Sequence, residues 1–322
     1  MRIALVGLGV IGKVHAGIIP HYGTLCAVCD VREEAMAPFA DVPHYTDYET
    51  MLREARPDAV HICTPHYLHA DMVIAALRMD IHVLCEKPLS ISHEQLDAVQ
   101  KAAAKSQAQL GVCHQNRYEP NFLRAKELAD EEGVLNAFGD VVWMRNADYY
   151  TSGSWRGTWK EEGGGVMINQ ALHTLDLLQW MCGMPTHVIA HTANDHLQGV
   201  IEVEDLAAAR FECANGTLIN FYATTAAARS FPAHLRLCLK SKKVLHAEPS
   251  LLALAGEVLP LGEREETVGK SVWGTGHKRL IADFYRCIQE GAHFPINAVE
   301  GAKVVRLILA MYASNGKRVE IL

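Results

Sequence analysis

The sequence predicts an α/β protein of two domains, the first built on a parallel sheet and the second an α+β domain with a mainly antiparallel sheet. Three observations lead to this fold class. Short apolar runs alternate with helical patterns through residues 1–118, which is typical of parallel strands covered by helices on both faces. From 119 to 322 strand-like runs follow one another, and Asn215-Gly216 separates two of them as a hairpin turn would. The length of 322 residues also exceeds that of one ordinary domain.

The elements follow from the same patterns. In the first domain we predict strands at 2–6, 25–29, 59–63, 82–85 and 110–113 and helices at 71–79 and 93–108, with Ser92 and Gln95 as a capping box. In the second domain we predict helices at 121–132, 166–182, 278–290 and 299–314, and strands at 140–146, 187–192, 206–213, 217–224 and 235–239. Ligands of parallel sheets bind beyond the carboxyl ends of the strands, so we expect chemistry in the loops that follow the first-domain strands.

Composition excludes several classes of partner. The net charge is −7, and no run is rich in lysine or arginine, which disfavours nucleic acid and anionic membranes as partners. No apolar stretch reaches the roughly 18 residues of a membrane span. The apolar start of the chain is accounted for by the first strand rather than by a signal peptide. The cysteines number nine, an odd count without framework spacing, which predicts free thiols and a cytoplasmic protein.

A glycine turn follows the first predicted strand. Gly7, Gly9 and Gly12 have the spacing of the Rossmann dinucleotide-binding fingerprint, and they lie between a strand and a helix as that fingerprint requires. Gly7 permits the tight turn, Gly9 lets the backbone approach a pyrophosphate, and Gly12 lets the helix pack close to the strand. The start of the helix, at Val10 and Ile11, offers free N–H groups to the phosphates.

Asp30 ends the second predicted strand, where a ribose-binding carboxylate belongs. A carboxylate accepts hydrogen bonds from ribose hydroxyls and repels a 2′-phosphate, so we predict NAD rather than NADP as the cofactor. Arg32 has two interpretations. Its guanidinium would pair with a phosphate if NADP were used, or it is a solvated loop charge beside the adenine, which is the interpretation we favour.

Metal ligation is not expected. Cys26 and Cys29 form a CxxC motif inside a predicted strand, where side chains three apart point to opposite faces. Cys63, His66 and His69 also have metal-like spacing, but they straddle a strand end and a helix start. We therefore predict no metal site.

Several further motifs occur in a fixed order along nearly the whole chain. Cys63-Thr64-Pro65-His66 follows the third predicted strand, Cys85-Glu86-Lys87-Pro88 follows the fourth, and a glycine run at 163–165 opens the segment that ends at Asp176. Gly276-His277 and Asp283-Phe284-Tyr285 follow near the carboxyl terminus. Together with the glycine turn, these motifs resemble the family of glucose–fructose oxidoreductases, inositol dehydrogenases and rhizopine-catabolism oxidoreductases.

The resemblance implies a catalytic lysine at Lys87, in a turn that Pro88 fixes through a peptide bond that is often cis in this family. It also implies a catalytic histidine at His173, and a neutral imidazole is a credible proton acceptor near pH 7. Where the family commonly has an aspartate four residues before this histidine, this chain has Asn169. Four residues make about one helical turn, so we expect the side chains of Asn169 and His173 to share a face. An amide cannot take a proton but can hydrogen-bond a substrate hydroxyl. Asp176 is either an orienting group for His173 or an ordinary polar residue of the helix, which we favour.

Two sets of binding residues complete the prediction. We expect the cofactor to contact Gly7, Gly9, Val10, Ile11, Gly12, Asp30, Arg32, Thr64, Pro65, His66, His69, Glu86, Lys87 and Gln115. We expect the substrate to contact Asn116, Arg117, Trp155, Arg156, Asn169 and His173. His277 and the aromatic residues before the glycine run are equally well explained as packing.

The resemblance thus implies a dehydrogenase that moves a hydride between nicotinamide and a secondary hydroxyl of a sugar, polyol or sugar derivative. It also implies a homodimer or homotetramer, since the antiparallel sheet of such second domains usually packs against another subunit. Two alternatives stay open: a regulator that senses the dinucleotide on the same fold, and an enzyme that keeps NAD bound and cycles it while eliminating or hydrolysing a sugar group. Lys87 and His173 argue against the regulator, which has no chemical need for either.

Overall fold

The computed structural model describes residues 1–260 and 275–322. Its helices are α1 (Val10–Ile18), α2 (Glu33–Met36), α3 (Tyr48–Ala55), α4 (His69–Leu77), α5 (His93–Ala103), α6 (Pro120–Glu132), α7 (Ala147–Thr151), α8 (Val166–Asn169), α9 (Leu172–Cys182), α10 (Gly276–Glu290) and α11 (Ala298–Ser314). Its strands are β1 (Arg2–Val6), β2 (Thr24–Cys29), β3 (His44–Tyr45), β4 (Ala59–Ile62), β5 (His82–Cys85), β6 (Leu110–Val112), β7 (Val134–Val142), β8 (Pro185–Ala193), β9 (Leu206–Cys213), β10 (Leu218–Thr224), β11 (His234–Leu239), β12 (Val244–Glu248), β13 (Leu251–Leu254), β14 (Glu257–Val258) and β15 (Val319–Glu320).

The first structural unit comprises Met1–Gln115 and, later in the chain, the described residues 275–302. Its six strands lie in the order β3-β2-β1-β4-β5-β6 and all pair in parallel. This is the doubly wound order of a dinucleotide-binding sheet, which binds its ligand where the order reverses, between β1 and β4. The strands are apolar along their length because helices cover both faces. The predicted Rossmann fold is confirmed.

The second unit comprises residues 116–260 of the described chain and Lys303–Leu322. Its nine strands lie in the order β14-β13-β12-β11-β7-β10-β9-β8-β15, and every pair is antiparallel except β7 with β10. Side chains of β7 alternate between the two faces. Ala137 and Val141 are buried, and a Cβ at Gly139 would lie 2.8 Å from Leu178 of α9, whereas Phe138 is 37% exposed. The mainly antiparallel second sheet is therefore as predicted.

The structure differs from the sequence prediction at several positions, of which three affect the domain division or the segments around the predicted site. A single division at residue 118 does not account for residues 275–302, which pack with the first unit. The helix predicted at 166–182 is two helices, α8 and α9, with a wider turn between them in which Ala171 N donates to Val166 O. The strand predicted at 140–146 begins earlier, at Val134, and ends at Val142.

The predicted capping box of α5 is present in modified form. Ser92 Oγ accepts a hydrogen bond from Gln95 N at 3.2 Å, as expected of an N-cap. The Gln95 side chain, however, accepts from Ile91 N at 2.9 Å rather than from the backbone of Ser92.

All nine cysteines are free thiols, as predicted. Within residues 1–260 and 275–322, no helix is both long and apolar enough to cross a membrane.

Candidate functional site

The glycine turn between β1 and α1 has the geometry that its sequence predicts. Gly7 has φ +83°, and a Cβ there would lie 2.5 Å from Cys63 O. A Cβ on Gly12 would lie 1.9 Å from Gly7 O, so only glycine allows α1 to approach the turn this closely. A Cβ on Gly9, in contrast, would meet nothing within 4 Å. The open space beside Gly9, at the amino end of α1, fits a pyrophosphate.

Asp30 is held against this turn. It is 7% exposed, its Oδ2 accepts from Leu8 N at 2.8 Å, and its Oδ1 accepts from Arg32 N at 3.0 Å. The Arg32 guanidinium also donates to Asp30, through Nε at 3.2 Å. Burial alone would raise the pKa of Asp30, but the hydrogen bonds from Arg32 and Leu8 outweigh it and lower the pKa. The carboxylate is thus ionised and fixed beside the turn, which suits a ribose diol better than a 2′-phosphate.

The loops that follow β4 and β5 are joined by His69. Its ring is fully buried, with Nδ1 2.6 Å from Pro88 O and Nε2 2.8 Å from Thr64 O. Because protein carbonyls occupy both ring nitrogens, His69 fixes the two loops relative to each other; the cofactor contact predicted for it gains no support from this placement. His66, also predicted as a cofactor ligand, is buried beside it, with ring centroids 6.0 Å apart.

Lys87 stands in the second of these loops, immediately after β5. The Lys87–Pro88 peptide bond is cis, as the resemblance implied. Lys87 is half-buried, and its backbone N–H donates to Glu86 Oε2 at 3.2 Å. The backbone at Lys87 is therefore held by the side chain of the residue before it.

Glu86 ends a chain of buried polar side chains. Its Oε1 lies 3.0 Å from His15 Nε2, His15 Nδ1 lies 2.8 Å from His61 Nδ1, and His61 Nε2 lies 2.6 Å from Tyr285 Oη. One set of tautomers satisfies every link: Tyr285 donates to His61, His61 donates to His15, and His15 donates to Glu86. The hydrogen bonds then all point toward the carboxylate.

The charge state of this chain follows from burial and contacts. Burial lowers the pKa of His15 and holds that of His61 well below its usual value, so both rings are neutral. Burial would raise the pKa of Glu86, but contacts from His15 and His277 hold it well below its usual range. His277 Nε2 lies 3.3 Å from Glu86 Oε1. Residues from several elements thus support one ionised carboxylate directly before Lys87.

The same cluster has the spacing of a metal site. His15, Glu86 and Cys113 place one ligand atom each within 4.8 Å of one another. Both ring nitrogens of His15 already meet protein partners, however, and burial holds the pKa of the Cys113 thiol well above its usual value. A thiol that stays protonated is a poor metal ligand, so we describe the cluster as a hydrogen-bonded chain.

In the second unit, the glycine run packs against a buried carboxylate. A Cβ on Gly164 would lie 1.8 Å from Tyr312 Oη, and one on Gly165 would lie 1.9 Å from Glu204 O. The Glu204 side chain accepts from Gly165 N at 2.9 Å and from Met167 N at 3.0 Å, and Tyr312 Oη donates to it at 3.0 Å. Burial raises the pKa of Glu204 to about 7. The glycines are needed because the chain enters α8 pressed against these groups.

Asn169 lies at the end of α8 beside a second buried carboxylate. Its Nδ2 donates to Glu162 Oε1 and lies 3.2 Å from Tyr149 Oη. Glu162 is fully buried and also accepts from Gly157 N at 2.5 Å. Because the Asn169 amide N–H group is directed to Glu162, its carbonyl is the side-chain atom through which it would accept a hydrogen bond from a hydroxyl.

His173 lies in the first turn of α9, after the wider turn that separates it from Asn169. The four-residue spacing therefore does not correspond to one regular helical turn. Whether the two side chains share a face stays a prediction.

Arg117 is engaged inside the second unit. Its guanidinium donates to both oxygens of Asp176, at 2.7 and 2.6 Å, and lies 5.2 Å from the ring centroid of Trp180. Both partners of the ion pair are buried. This pairing gives Asp176 and Arg117 a structural role, and the predicted contact of Arg117 with substrate stays a prediction.

The remaining predicted residues are placed as follows. Val10 is exposed at the start of α1, and Ile11, Thr64 and Pro65 are half-buried. Gln115 is buried and Asn116 half-buried in a short 3-10 turn after β6. Trp155 and Arg156 are half-buried in the loop that follows α7, where the Arg156 guanidinium lies 4.9 Å from the Trp155 ring centroid.

Sequence reasoning missed Glu162, Glu204, His15 and His61. Glu162 directly precedes the glycine run, and that position is the signal by which it could have been found. His15 lies three residues after Gly12, on the buried face of α1. Glu204 and His61 reach their partners only through the tertiary fold, so no local pattern identifies them.

Comparison with known proteins identifies the family. Residues 1–114 match the model of the oxidoreductase family with an NAD-binding Rossmann fold, and residues 122–240 match the GFO/IDH/MocA C-terminal domain. The chain belongs to the GFO/IDH/MocA oxidoreductase family. The description of the matched first domain confirms NAD as the cofactor type that Asp30 predicted.

Curated relatives of this family member include dehydrogenases of sugars and polyols. A myo-inositol 2-dehydrogenase from Thermotoga maritima is 28% identical over 57% of this chain, a match that spans 55% of the relative. A D-glucoside 3-dehydrogenase from Escherichia coli is 26% identical over 100% of this chain and 97% of the relative.

A solved structure matches at full length. The WlbA dehydrogenase from Bordetella pertussis, determined in complex with NADH and UDP-GlcNAcA, has a TM-score of 0.89 and 26% identity, covering 100% of this chain and 98% of that one. A levoglucosan dehydrogenase in complex with NADH and L-sorbose has a TM-score of 0.88 at 21% identity, covering 100% of this chain and 99% of that one, which supports the fold.

Proposed function

We propose that this protein is an NAD-dependent dehydrogenase that transfers a hydride between nicotinamide and a secondary hydroxyl of a sugar, polyol or sugar derivative. The observation that carries the proposal is the loop of Lys87. It follows a strand of the NAD-binding sheet and is held by His69 and by the Glu86 chain. A surface lysine needs no such support. The curated relatives named as inositol and glucoside dehydrogenases support the substrate class.

Alcohol oxidation requires a hydride acceptor, a base for the hydroxyl proton and a group that stabilises charge on the oxygen. Bound nicotinamide supplies the hydride acceptor. We assign the other two tasks to Lys87 and His173. In this assignment the ammonium group of Lys87 stabilises the developing charge, and the His173 imidazole takes the proton. Asn169 accepts a hydrogen bond from a neighbouring hydroxyl and so orients the substrate.

Replacement of Lys87 tests the proposal. We expect Lys87→Met to lower kcat about 100-fold or more on whichever sugar the wild type oxidises, as does removal of a charge-stabilising or proton-transfer group. NAD affinity should change little, because the pyrophosphate and ribose contacts lie elsewhere. NADH formation is followed across inositols, aldoses, glycosides and sugar acids, with Lys101→Met on the exposed face of α5 as the control. Turnover of Lys87→Met within a few-fold of wild type would contradict the assignment.

The same panel separates the two alternatives. A dinucleotide-sensing regulator would bind NAD and form no NADH with any sugar. An enzyme that cycles bound NAD would release a leaving group from a glycoside without net NADH. We retain the dehydrogenase because Lys87 and His173 are both present.

We further propose that the protein is a cytoplasmic homodimer or homotetramer. The free cysteines suit a reducing compartment. The exposed face of the second sheet carries Phe138 on its central strand β7, with the exposed Asn220 and Arg236 as its cross-strand neighbours. Contact of this face with another subunit would bury the Phe138 ring, which is favourable. Sedimentation velocity at several protein concentrations tests the assembly.

A further inference from the structure

Two arginines near Asn169 have no carboxylate partner among the described residues. Two other arginines form ion pairs with nearby acids, Arg124 with Glu127 and Arg286 with Asp283. Arg145 and Arg156 make no such pair within the described ranges, although the chain holds 37 acidic residues against 30 basic ones. Both guanidinium groups contact one tyrosine ring, so their lack of a carboxylate bears on what this region could bind.

Both arginines pack on the same aromatic ring. The guanidinium carbon of Arg145 lies 4.9 Å from the ring centroid of Tyr149, and that of Arg156 lies 5.0 Å from it. Cation–π contacts of this kind hold the positive groups in place without neutralising their charge. Both positive groups are thus fixed around one tyrosine ring, and an anion beside either guanidinium would be attracted to it.

Their hydrogen-bond donors are only partly used. Arg145 donates from Nη1 to Met144 O at 2.8 Å, and Arg156 donates from Nη1 to Ser152 Oγ at 3.3 Å. The Nε atom of each is buried without an acceptor in the described chain. Nε and the adjacent Nη2 form the edge of a guanidinium that pairs with two oxygens of a carboxylate or phosphate. A buried N–H without an acceptor is unfavourable, so an oxyanion that reaches this edge of either guanidinium would satisfy a donor that the described chain leaves without an acceptor.

This pair adjoins the predicted substrate group. Tyr149 Oη lies 3.2 Å from Asn169 Nδ2 and 3.3 Å from Gln170 Nε2, so one tyrosine joins the two arginines to the end of α8. If one hydroxyl of a sugar bonds to Asn169, the other substituents of that sugar lie a few ångströms away. They are then close to the groups that surround the Tyr149 ring.

We propose that Arg145 and Arg156 bind an oxyanion carried by the substrate, a carboxylate or a phosphate ester, so that the enzyme acts on acidic sugars in preference to neutral ones. The inference rests on the proposed dehydrogenase function and narrows its substrate class. Arg156 was expected to contact substrate; Arg145 and the negative charge of the substrate are new.

Matched pairs of sugars test it. The kcat/KM of the NAD-supplied enzyme is measured for glucose against glucuronate, and for methyl glucoside against UDP-glucose, so that the carboxylate and phosphate sources are separated. We expect wild type to prefer the charged member of at least one pair by about tenfold or more, the effect of a paired, charge-assisted contact. Arg145→Gln and Arg156→Gln should each reduce that preference by a similar factor, mainly through KM. The lysine variants keep the charge and lose the paired donors, so their preference should be intermediate.

Arg124→Gln, an exposed arginine of α6, is the matched control and should leave the preference unchanged. Equal losses on charged and neutral sugars in the Arg145 and Arg156 variants would overturn the oxyanion site. So would a wild type that oxidises the neutral sugars as well as the charged ones.

Binding of the same compounds to the NADH-loaded protein, measured by calorimetry, distinguishes this failure from failure of the proposed function. Arginine-dependent binding of glucuronate or UDP-glucose without any NADH formation by the NAD-loaded enzyme would support the site and contradict the dehydrogenase. Turnover of neutral sugars with no arginine-dependent binding would support the dehydrogenase and overturn the site.

Discussion

Asp30 is the residue on which cofactor choice depends. Its carboxylate is fixed by Leu8 N and Arg32, and hydrogen bonds lower its pKa, so it is ionised at neutral pH. A 2′-phosphate would meet this charge at close range. The position of Arg32 is compatible with the solvated interpretation, because it is exposed and paired with Asp30 itself.

We therefore expect the protein to bind NAD more tightly than NADP, and Asp30→Ala to narrow the difference about tenfold or more, since it removes both the ribose acceptor and the charge that repels a phosphate. Asp30→Asn removes the charge but retains an acceptor for Leu8 N. It therefore separates loss of the charge from loss of the hydrogen bond that holds the glycine turn. Fluorescence titration with both nucleotides measures the effect. A wild-type preference for NADP would contradict this interpretation and make Arg32 a phosphate ligand.

At the scale of single elements, the glycine turn offers a matched pair of substitutions. A Cβ at Gly12 collides with backbone, so Gly12→Ala should destabilise the protein by about 1–3 kcal/mol, the usual cost of overpacking. A Cβ at Gly9 meets open space, so Gly9→Ala should leave the free protein about as stable as wild type. It should nevertheless weaken NAD binding, because the methyl group occupies the space assigned to the pyrophosphate.

Urea unfolding and NAD titration of both variants check the pair. The result that would contradict the placement of the pyrophosphate is a Gly9→Ala protein that binds NAD as tightly as wild type. Loss of NAD binding in Gly12→Ala alone would not discriminate, since that variant disturbs the turn itself.

The end of α8 shows where sequence reasoning stops. The motif identified Asn169 and His173 and the absence of the common aspartate. It did not reveal Glu162, because a fully buried glutamate seven residues away is brought to Asn169 only by the turns of the glycine run. Nor did it reveal the wider turn between α8 and α9, since apolar periodicity runs through both. The parallel sheet and the glycine turn were predictable because they depend on local pattern alone.

Glu162 changes the expected effect of replacing Asn169 by the aspartate that is common in the family. From sequence alone, Asn169→Asp would place a carboxylate near His173, favour the imidazolium and move the alkaline rise of activity to higher pH. In the structure the new carboxylate would face Glu162 directly, so we expect the two acids to share one proton and the variant to lose stability. The double variant Asn169→Asp/Glu162→Gln exchanges amide and carboxyl. The new glutamine oxygen can still accept from Gly157 N, while the glutamine amide donates to the new aspartate.

We expect the double variant to recover most of the stability that the single variant loses, by about 1–3 kcal/mol. The rise of its hydride-transfer rate with pH should move to higher pH if the introduced carboxylate reaches His173. Urea unfolding measures the stability, and single-turnover hydride transfer from about pH 5 to pH 10 measures the rate. His173→Ala is the control and should remove the rise of the rate with pH. A single variant as stable as wild type would show that the Glu162 contact is unimportant.

At the scale of the whole molecule, buried histidines make stability depend on pH. His15 and His61 are fully buried, and burial lowers the pKa of each. The folded protein keeps these rings neutral, whereas the unfolded chain binds protons below about pH 6.5, so their contribution to stability falls as the pH drops below that value. Each histidine contributes at most about 1.4 kcal/mol per pH unit.

Glu204 acts in the opposite direction. Burial raises its pKa from the usual 4.5 to about 7, so the folded protein holds a proton there that the unfolded chain has lost. Its contribution to stability therefore rises as the pH falls from about 7 toward 4.5. One carboxyl group opposes the two histidines, each with a pH dependence of similar steepness, so the histidines should dominate below about pH 6.5. Glu86 does not enter this window, because its lowered pKa matters only below about pH 4.5.

We expect the free energy of unfolding to decrease as the pH is lowered from about 6.5 to about 5.5. His61→Gln should be less stable at neutral pH, because it disturbs the link between His15 and Tyr285, yet its stability should depend less steeply on pH. His196→Gln, at an exposed position, should keep the wild-type slope. Urea unfolding of the cofactor-free protein at closely spaced pH values gives all three slopes. If His61→Gln and wild type had equal slopes, His61 would have to be protonated in both states or in neither, and the neutral chain of hydrogen bonds that supports Glu86 would need a different arrangement of protons.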